Sequence, residues 1–175
     1  QFHHLFKSPG PAVTPVIHVL DQPQVENNIA AALGESVAGV FLINHDFGIE
    51  PFLPIVRAAR QRFPDIWMGL NFLAVTGGDA FPILGQLAQK DCPIDAYWAD
   101  DARINERMVD QREAIEIDQI RQVSGWNGLY FGGTAFKKQR PVAPDKMEMA
   151  AHLAIRYMDV VTTSGVATGE EANHD

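Results

Sequence analysis

The chain has 175 residues, 46% hydrophobic and 9% aromatic, which is enough apolar material for one sizeable core. Its formal net charge is −8, and Lys and Arg are scattered apart from Lys137, Lys138 and Arg140, which excludes nucleic-acid binding through a clustered basic face. The lone Cys92 excludes an internal disulfide, and no apolar run approaches the ~18 residues of a membrane-spanning helix. With no apolar leader at the N-terminus, the expected compartment is the cytoplasm.

Taken in order, the chain alternates short apolar runs with helical patterns. Residues 1–13 form an aromatic and Pro-rich lead-in. Residues 13–21 read as strand 1, with Pro15 near its start. Helix 1 follows over 22–33 and stops at Gly34. Strand 2 spans 40–46, where four apolar residues are followed at once by Asn44, His45 and Asp46. Helix 2 covers 50–63, with Pro51 and Pro54 in its first turn and Pro64 ending it. Strand 3 is 66–74, and helix 3 is 80–90 with Asp79 as N-cap. Strand 4 is 96–99, helix 4 is 109–123, strand 5 is 129–131, helix 5 is 145–158 and strand 6 is 159–163. The last six residues read as the opening of a further helix.

Six such units without a break in composition predict a single domain with a parallel sheet. An open doubly wound sheet and a (β/α)8 barrel both satisfy the alternation. Units of ~29 residues put eight of them at ~230 residues, within the barrel range. No Gly-x-Gly-x-x-Gly follows strand 1, and no phosphate loop ending in Gly-Lys occurs. The expectation is therefore a (β/α)8 barrel of which about six units are present, with the doubly wound sheet as the alternative.

Polar residues close every strand. In a barrel they converge on one mouth, where such folds keep their active sites. Strand 1 offers His18 and Asp21, strand 2 Asn44, His45 and Asp46, and strand 3 Asn71. Strand 4 ends in Asp100 and Asp101, and strand 5 leads to Thr134 and Lys137. Strand 6 leads to Thr162, Thr163, Ser164, Gly165, Thr168 and Gly169. His45 beside Asp46 suits a general base with a tuning carboxylate, although strand neighbours point to opposite faces. One of Asp100 and Asp101 can serve as acid or base if the other raises its pKa. Asn44 and Asn71 suit substrate orientation. Lys137 and the 164–169 loop suit an anion, through a cation, hydroxyls and backbone donors. His18 and His45 with one carboxylate would make a two-His metal set, without any local spacing in its favour. Cys92, before Pro93 on the far side, is a poor nucleophile candidate. Trp67, Trp98 and Trp126 read as core.

Residues 159–169, Asp-Val-Val-Thr-Thr-Ser-Gly-Val-Ala-Thr-Gly, resemble the BtpA-like family, which carries a related strand with a Thr-Gly pair. Leu5-Phe6, the run Pro15-Val16-Ile17-His18, Asn44 and Asp46 after strand 2, and Asn71 in strand 3 are also similar to it. The resemblance implies a TIM barrel related to the ribulose-phosphate-binding group, in which phosphate is commonly held by the loops after strands 7 and 8. It also implies a link to photosystem I biogenesis or to sugar or nucleotide metabolism. The chain departs from the family at Val19-Leu20-Asp21, where a Pro-rich loop with Gly is expected.

The combined expectation is an enzyme of isomerase or lyase type acting on a small phosphorylated metabolite. His45, Asp46 and Asp100 would carry the acid/base work. His18, Asp21, Asn44, Asn71, Asp101, Lys137, Thr163, Ser164, Gly165, Thr168 and Gly169 would contact the ligand. No nucleotide cofactor is expected, a divalent metal is left open, and a homo-oligomer is left open. A non-catalytic assembly factor and a metal-dependent hydrolase are the competing readings.

Overall fold

The computed structural model describes residues 5–6, 10–137, 139–165, 167 and 170. Six strands form one wholly parallel sheet: β1 (Val16–His18), β2 (Val40–Ile43), β3 (Met68–Asn71), β4 (Ala96–Ala99), β5 (Leu129–Gly133) and β6 (Val160–Thr162). The helices between them are α1 (Gln22–Gly34), α2 (Ile49–Arg62), α3 (Gly77–Ala88), α4 (Arg112–Ser124) and α5 (Met147–Ala154), the last preceded by a 3-10 turn, Pro144–Lys146.

The strand order is β1-β2-β3-β4-β5-β6, the order of the sequence. A doubly wound sheet reverses its order so that helices cover both faces. Without a reversal, right-handed crossovers leave every helix on one face and let the sheet curl. The core divides accordingly. Ile17, Val40, Leu42, Leu70, Tyr97 and Tyr130 pack with helix residues such as Val25, Phe52, Phe81 and Ile117. A second cluster holds Phe41, Ala96 and Phe131 with Trp67, Trp98, Leu129 and Val160, all from strands or the residues beside them. The first cluster is the outer layer and the second is the concave inner face. The chain is thus a parallel β/α array of barrel type, and the doubly wound alternative is set aside. Among the described residues β1 pairs only with β2 and β6 only with β5, so the array has two open edges.

Apolar burial drives this division. Phe41 is 3% exposed and meets Trp67, Trp98 and Phe131 edge-on at 5.3–5.7 Å. Each such ring contributes roughly 1.5–3 kcal/mol by leaving water. A Cβ on Gly69 would lie 2.3 Å from the Phe41 ring, so β3 must carry glycine there for Phe41 to fill the space. Phe6 packs edge-on against Trp67 at 5.1 Å, below the sheet.

The amino end of the sheet is held by two like arrangements. Arg60, at the end of α2, donates to Asp95 Oδ2 at 2.6 Å, just before β4. The same oxygen accepts the Met68 N–H of β3 at 2.8 Å. Arg121, at the end of α4, donates to Asp159 Oδ2 at 2.5 Å, just before β6, and that oxygen accepts the Tyr130 N–H of β5 at 2.7 Å. One carboxylate therefore joins a helix end to the strand after it and to the next strand along. Arg121 also lies over Phe81, Trp126 and Tyr130, with centroid distances of 5.5–5.9 Å.

Several element ends differ from expectation. Strands 1, 3 and 6 are shorter at both ends, strand 2 is shorter at its carboxyl end, and strand 5 runs on to Gly133. Beyond β1 and β2, Asp21 and Asn44 are taken up by local contacts. Gly34 closes α1 from inside the helix, and Ser36 takes the left-handed turn at φ 56°. Pro54 sits one turn into α2 and not in its first turn, so the helix runs through the missing donor. Thr76 stands at the N-cap of α3, and Asp79 falls in its first turn. Helix 4 starts at Arg112 because the Gln111 amide is engaged with Asn105 and Met108. Helix 5 is split by the 3-10 turn and stops at Ala154. The expected sixth helix lies outside the described residues.

Candidate functional site at the carboxyl ends of the strands

Strand pairing fixes which side chains share the inner face. Val16 pairs with Phe41, and Ile43 pairs with Asn71. The pairs continue through Ala96 with Leu129, Phe131 with Val160, and Gly133 with Thr162. Carried along each strand with its period of two, the same face holds His18, Asn71, Trp98 and Thr162, and Asp100 follows directly after β4. Tyr97 and Ala99 face the helices.

On this face Asn71 Nδ2 donates to Asp100 Oδ1 at 2.9 Å, which links β3 to the end of β4. Asn71 is 2% exposed, so its amide is set by packing as well as by Asp100. On the neighbouring strands the rings of His18 and His45 stack with centroids 5.2 Å apart and planes 12° from parallel. His45 Nδ1 lies 3.0 Å from Asp46 Oδ1. The adjacent residues thus form a pair, contrary to the reading in which they point apart. Both are exposed, and the pair stands at the open mouth.

The other expected site residues have local partners. Asp21 is the N-cap of α1 and accepts from Gln24 N at 2.8 Å. Asn44 is buried and bridges two loops, since Leu73 N donates to its Oδ1 at 3.0 Å and its Nδ2 donates to the Phe47 carbonyl at 2.8 Å. Asp101 faces the next loop, where Arg103 N and Gln139 Nε2 donate to its Oδ1 at 2.8 and 3.1 Å. It does not share the Asp100 side of the strand end. Gln139 also donates to the Asp100 and Gly133 carbonyls, tying the loops after β4 and β5 together. Arg140 reinforces this link with two hydrogen bonds to Glu106, whose carboxyl is held below the usual carboxylate range mainly by that guanidinium.

Lys137 N donates to Ser164 Oγ at 3.0 Å, and Ser164 Oγ donates to the Gly165 carbonyl. Thr163 Oγ1 donates to the Ala135 carbonyl at 3.3 Å. These residues hold the loops after β5 and β6 to each other. Thr168 and Gly169 lie outside the described residues. Cys92 is buried, and burial pushes its thiol up, partly offset by Arg60 and Arg57. No group of three His, Cys, Asp or Glu side chains with metal-holding geometry occurs among the described residues.

On this face Trp98 reads from sequence as core, and Thr162 is named at the end of strand 6 without a ligand-contact role. Period-two alternation was the available signal. Trp98 stands two residues before Asp100, and Thr162 is the last residue of β6.

The fold has a counterpart among solved enzymes. The crystal structure of the 3,6-anhydro-D-galactonate cycloisomerase from Zobellia galactanivorans is similar over 86% of this chain and 45% of its own, with 14% identity and a TM-score of 0.55. A mandelate racemase/muconate lactonizing protein from Herpetosiphon aurantiacus aligns over 86% of this chain and 54% of its own, with 12% identity and a TM-score of 0.49. The chain therefore spans about half the length of the cycloisomerase, and at 14% identity that likeness describes the fold. No family model matches the chain, and no curated protein matches it. No helix among the described residues is long and apolar enough to cross a membrane.

Proposed function

We propose that this chain supplies the mouth of a β/α-barrel enzyme that moves a proton on a small molecule, with isomerase-type chemistry. The observation that carries the reading is the pairing of two acid/base sets at one end of the sheet. His45 with Asp46 stands at the end of β2, and Asp100, oriented by Asn71, stands at the end of β4. A β3 strand lies between them, so a ligand seated over β3 would have an imidazole on one side and a carboxylate on the other. Two groups flanking one carbon can remove a proton and return it from the opposite side. The fold likeness to a cycloisomerase is compatible with this chemistry.

A phosphate group is not part of this reading, because Ser164 Oγ and the Lys137 backbone N–H are engaged with each other. The BtpA-like resemblance remains a proposal, resting on residues 159–169. Incubation of the protein with a soluble small-molecule extract in deuterium oxide tests the reading. The wild type should place deuterium on a metabolite, and His45→Asn and Asp100→Asn should lower the rate by ~100-fold or more. Incorporation no greater than in a protein-free blank overturns it.

A second reading, an assembly factor, is favoured by the β1 edge. Val13, Val16 and Leu20 are 64%, 41% and 61% exposed. Val16 and Leu20 border a groove of about 580 Å3 between β1 and α1 that also includes His18, Gln24 and Asp46. The Gln24 amide blunts this edge by accepting from Leu20 N and donating to the His18 carbonyl.

A further inference from the structure

Three polar atoms on the inner face have no hydrogen-bond partner among the described residues. They are the Asn71 carboxamide oxygen, the Trp98 indole Nε1 and the Thr162 hydroxyl, each shielded from solvent. The register sets Asn71 level with Trp98 on the next strand, and Thr162 level with Gly133, beside the end of β4 where Asp100 stands. The unpaired atoms thus surround the carboxylate that Asn71 orients. A buried polar group without a partner costs about 1–3 kcal/mol, and folds seldom keep several on one face without a use for them. Phe136, from the loop after β5, covers this ground. It is 8% exposed, and its ring meets Trp98 edge-on at 5.7 Å.

The donors and acceptors select a ligand class. Asn71 Oδ1 and Asp100 accept, Trp98 Nε1 donates, and Thr162 does both. Two hydroxyls on neighbouring carbons can donate twice and accept in return. A phosphate or carboxylate brings acceptors and negative charge to Asp100, and none of the six strands contains Lys or Arg to offset it. The rings of Trp98, Phe131 and Phe136 supply apolar surface for the carbon side of such a ligand.

We propose that Asn71, Trp98, Asp100 and Thr162 form a subsite for a neutral vicinal diol, as in a sugar or polyol, entered when Phe136 swings away from Trp98. The inference rests on the small-molecule reading of the mouth and names the ligand class. Saturation-transfer NMR on the whole chain, with D-glucitol and glucitol 6-phosphate as probes, tests it. Wild type should transfer magnetisation to glucitol, and Thr162→Val and Asn71→Leu should each weaken binding about five- to tenfold. Phe136→Ala should tighten it, since the cover is gone. Thr162→Val exchanges the hydroxyl for a methyl group of similar size, so it reads the contact without emptying the core. The proposal falls if the phosphate ester binds and glucitol does not, if neither binds, or if Thr162→Val leaves glucitol binding unchanged. Deuterium exchange retained alongside any of those results overturns the diol subsite alone, and exchange lost as well overturns both readings.

Discussion

Asn71 and Asp100 lie on neighbouring strands, and the amide of one fixes the carboxylate of the other at 2.9 Å. Asn71 is buried and Asp100 is partly open, so the pair presents one oriented carboxylate to the mouth. Asp100→Asn keeps the shape and removes the charge. It should leave the melting temperature within a few degrees of wild type and reduce deuterium exchange by ~100-fold or more. Asn71→Asp places two carboxylates together and should both destabilise the fold and shift the pH dependence of exchange upward. Thermal denaturation and exchange at several pH values separate the two effects.

Gly133 should tolerate no side chain. A Cβ there would lie 1.9 Å from the Asp100 carbonyl oxygen, which is backbone and cannot turn aside. Gly133→Ala must push β5 away from the end of β4. The expected cost is about 2–3 kcal/mol, at the upper end of ordinary overpacking. Chemical denaturation measures it, and loss of glucitol binding should accompany it because Asp100 moves.

The Arg140–Glu106 pair gives stability a dependence on acid. Glu106 has a folded-state pKa below its unfolded value, with the Arg140 hydrogen bonds as the largest cause and burial opposing them. Its contribution is therefore complete above the unfolded value and disappears as the pH falls through the folded one. Between about pH 6 and pH 3, wild type should lose more stability than Glu106→Gln. Arg140 is 38% exposed, so screening limits the difference to about 1 kcal/mol. Urea midpoints at the two pH values decide it.

Arg121 joins an ion pair to a stack of three rings. Arg121→Met leaves Asp159 facing the Tyr130 N–H without its cation. A loss of about 2–3 kcal/mol is expected, below the full value for a buried pair because Asp159 is 37% exposed. The melting temperature should drop by roughly 5–10 °C. Arg121→Lys should recover only part of this, since an ammonium cannot reach Asp159 and the Gly128 carbonyl in the same planar way.

Much of the array was legible because buried parallel strands are short apolar runs, and β4 coincides with its expected limits. Element ends were less legible, since they depend on which polar residue meets a neighbouring loop. Asp21 and Asn44 stand at strand ends as a ligand-binding residue would, yet one caps α1 and the other holds the Leu73 and Phe47 loops. Sequence position cannot separate these uses. The Arg60–Asp95 and Arg121–Asp159 pairs span 35 and 38 residues and leave no local pattern. Adjacent carboxylates suggested a coupled pair at residues 100 and 101, but alternation along a strand sends only one of them inward.

The doubled carboxylate arrangement has a consequence for how the chain can be cut. Each copy is complete within its own stretch, one from α2 to β4 and the other from α4 to β6. In the loop between them Val109 is fully exposed. Two polypeptides divided there would each keep their own clasp, and Phe81 of one would still have Trp126 and Arg121 of the other to receive it. The molecule is in this sense a pair of modules, and complementation between separately expressed halves would measure how much each can do without the other.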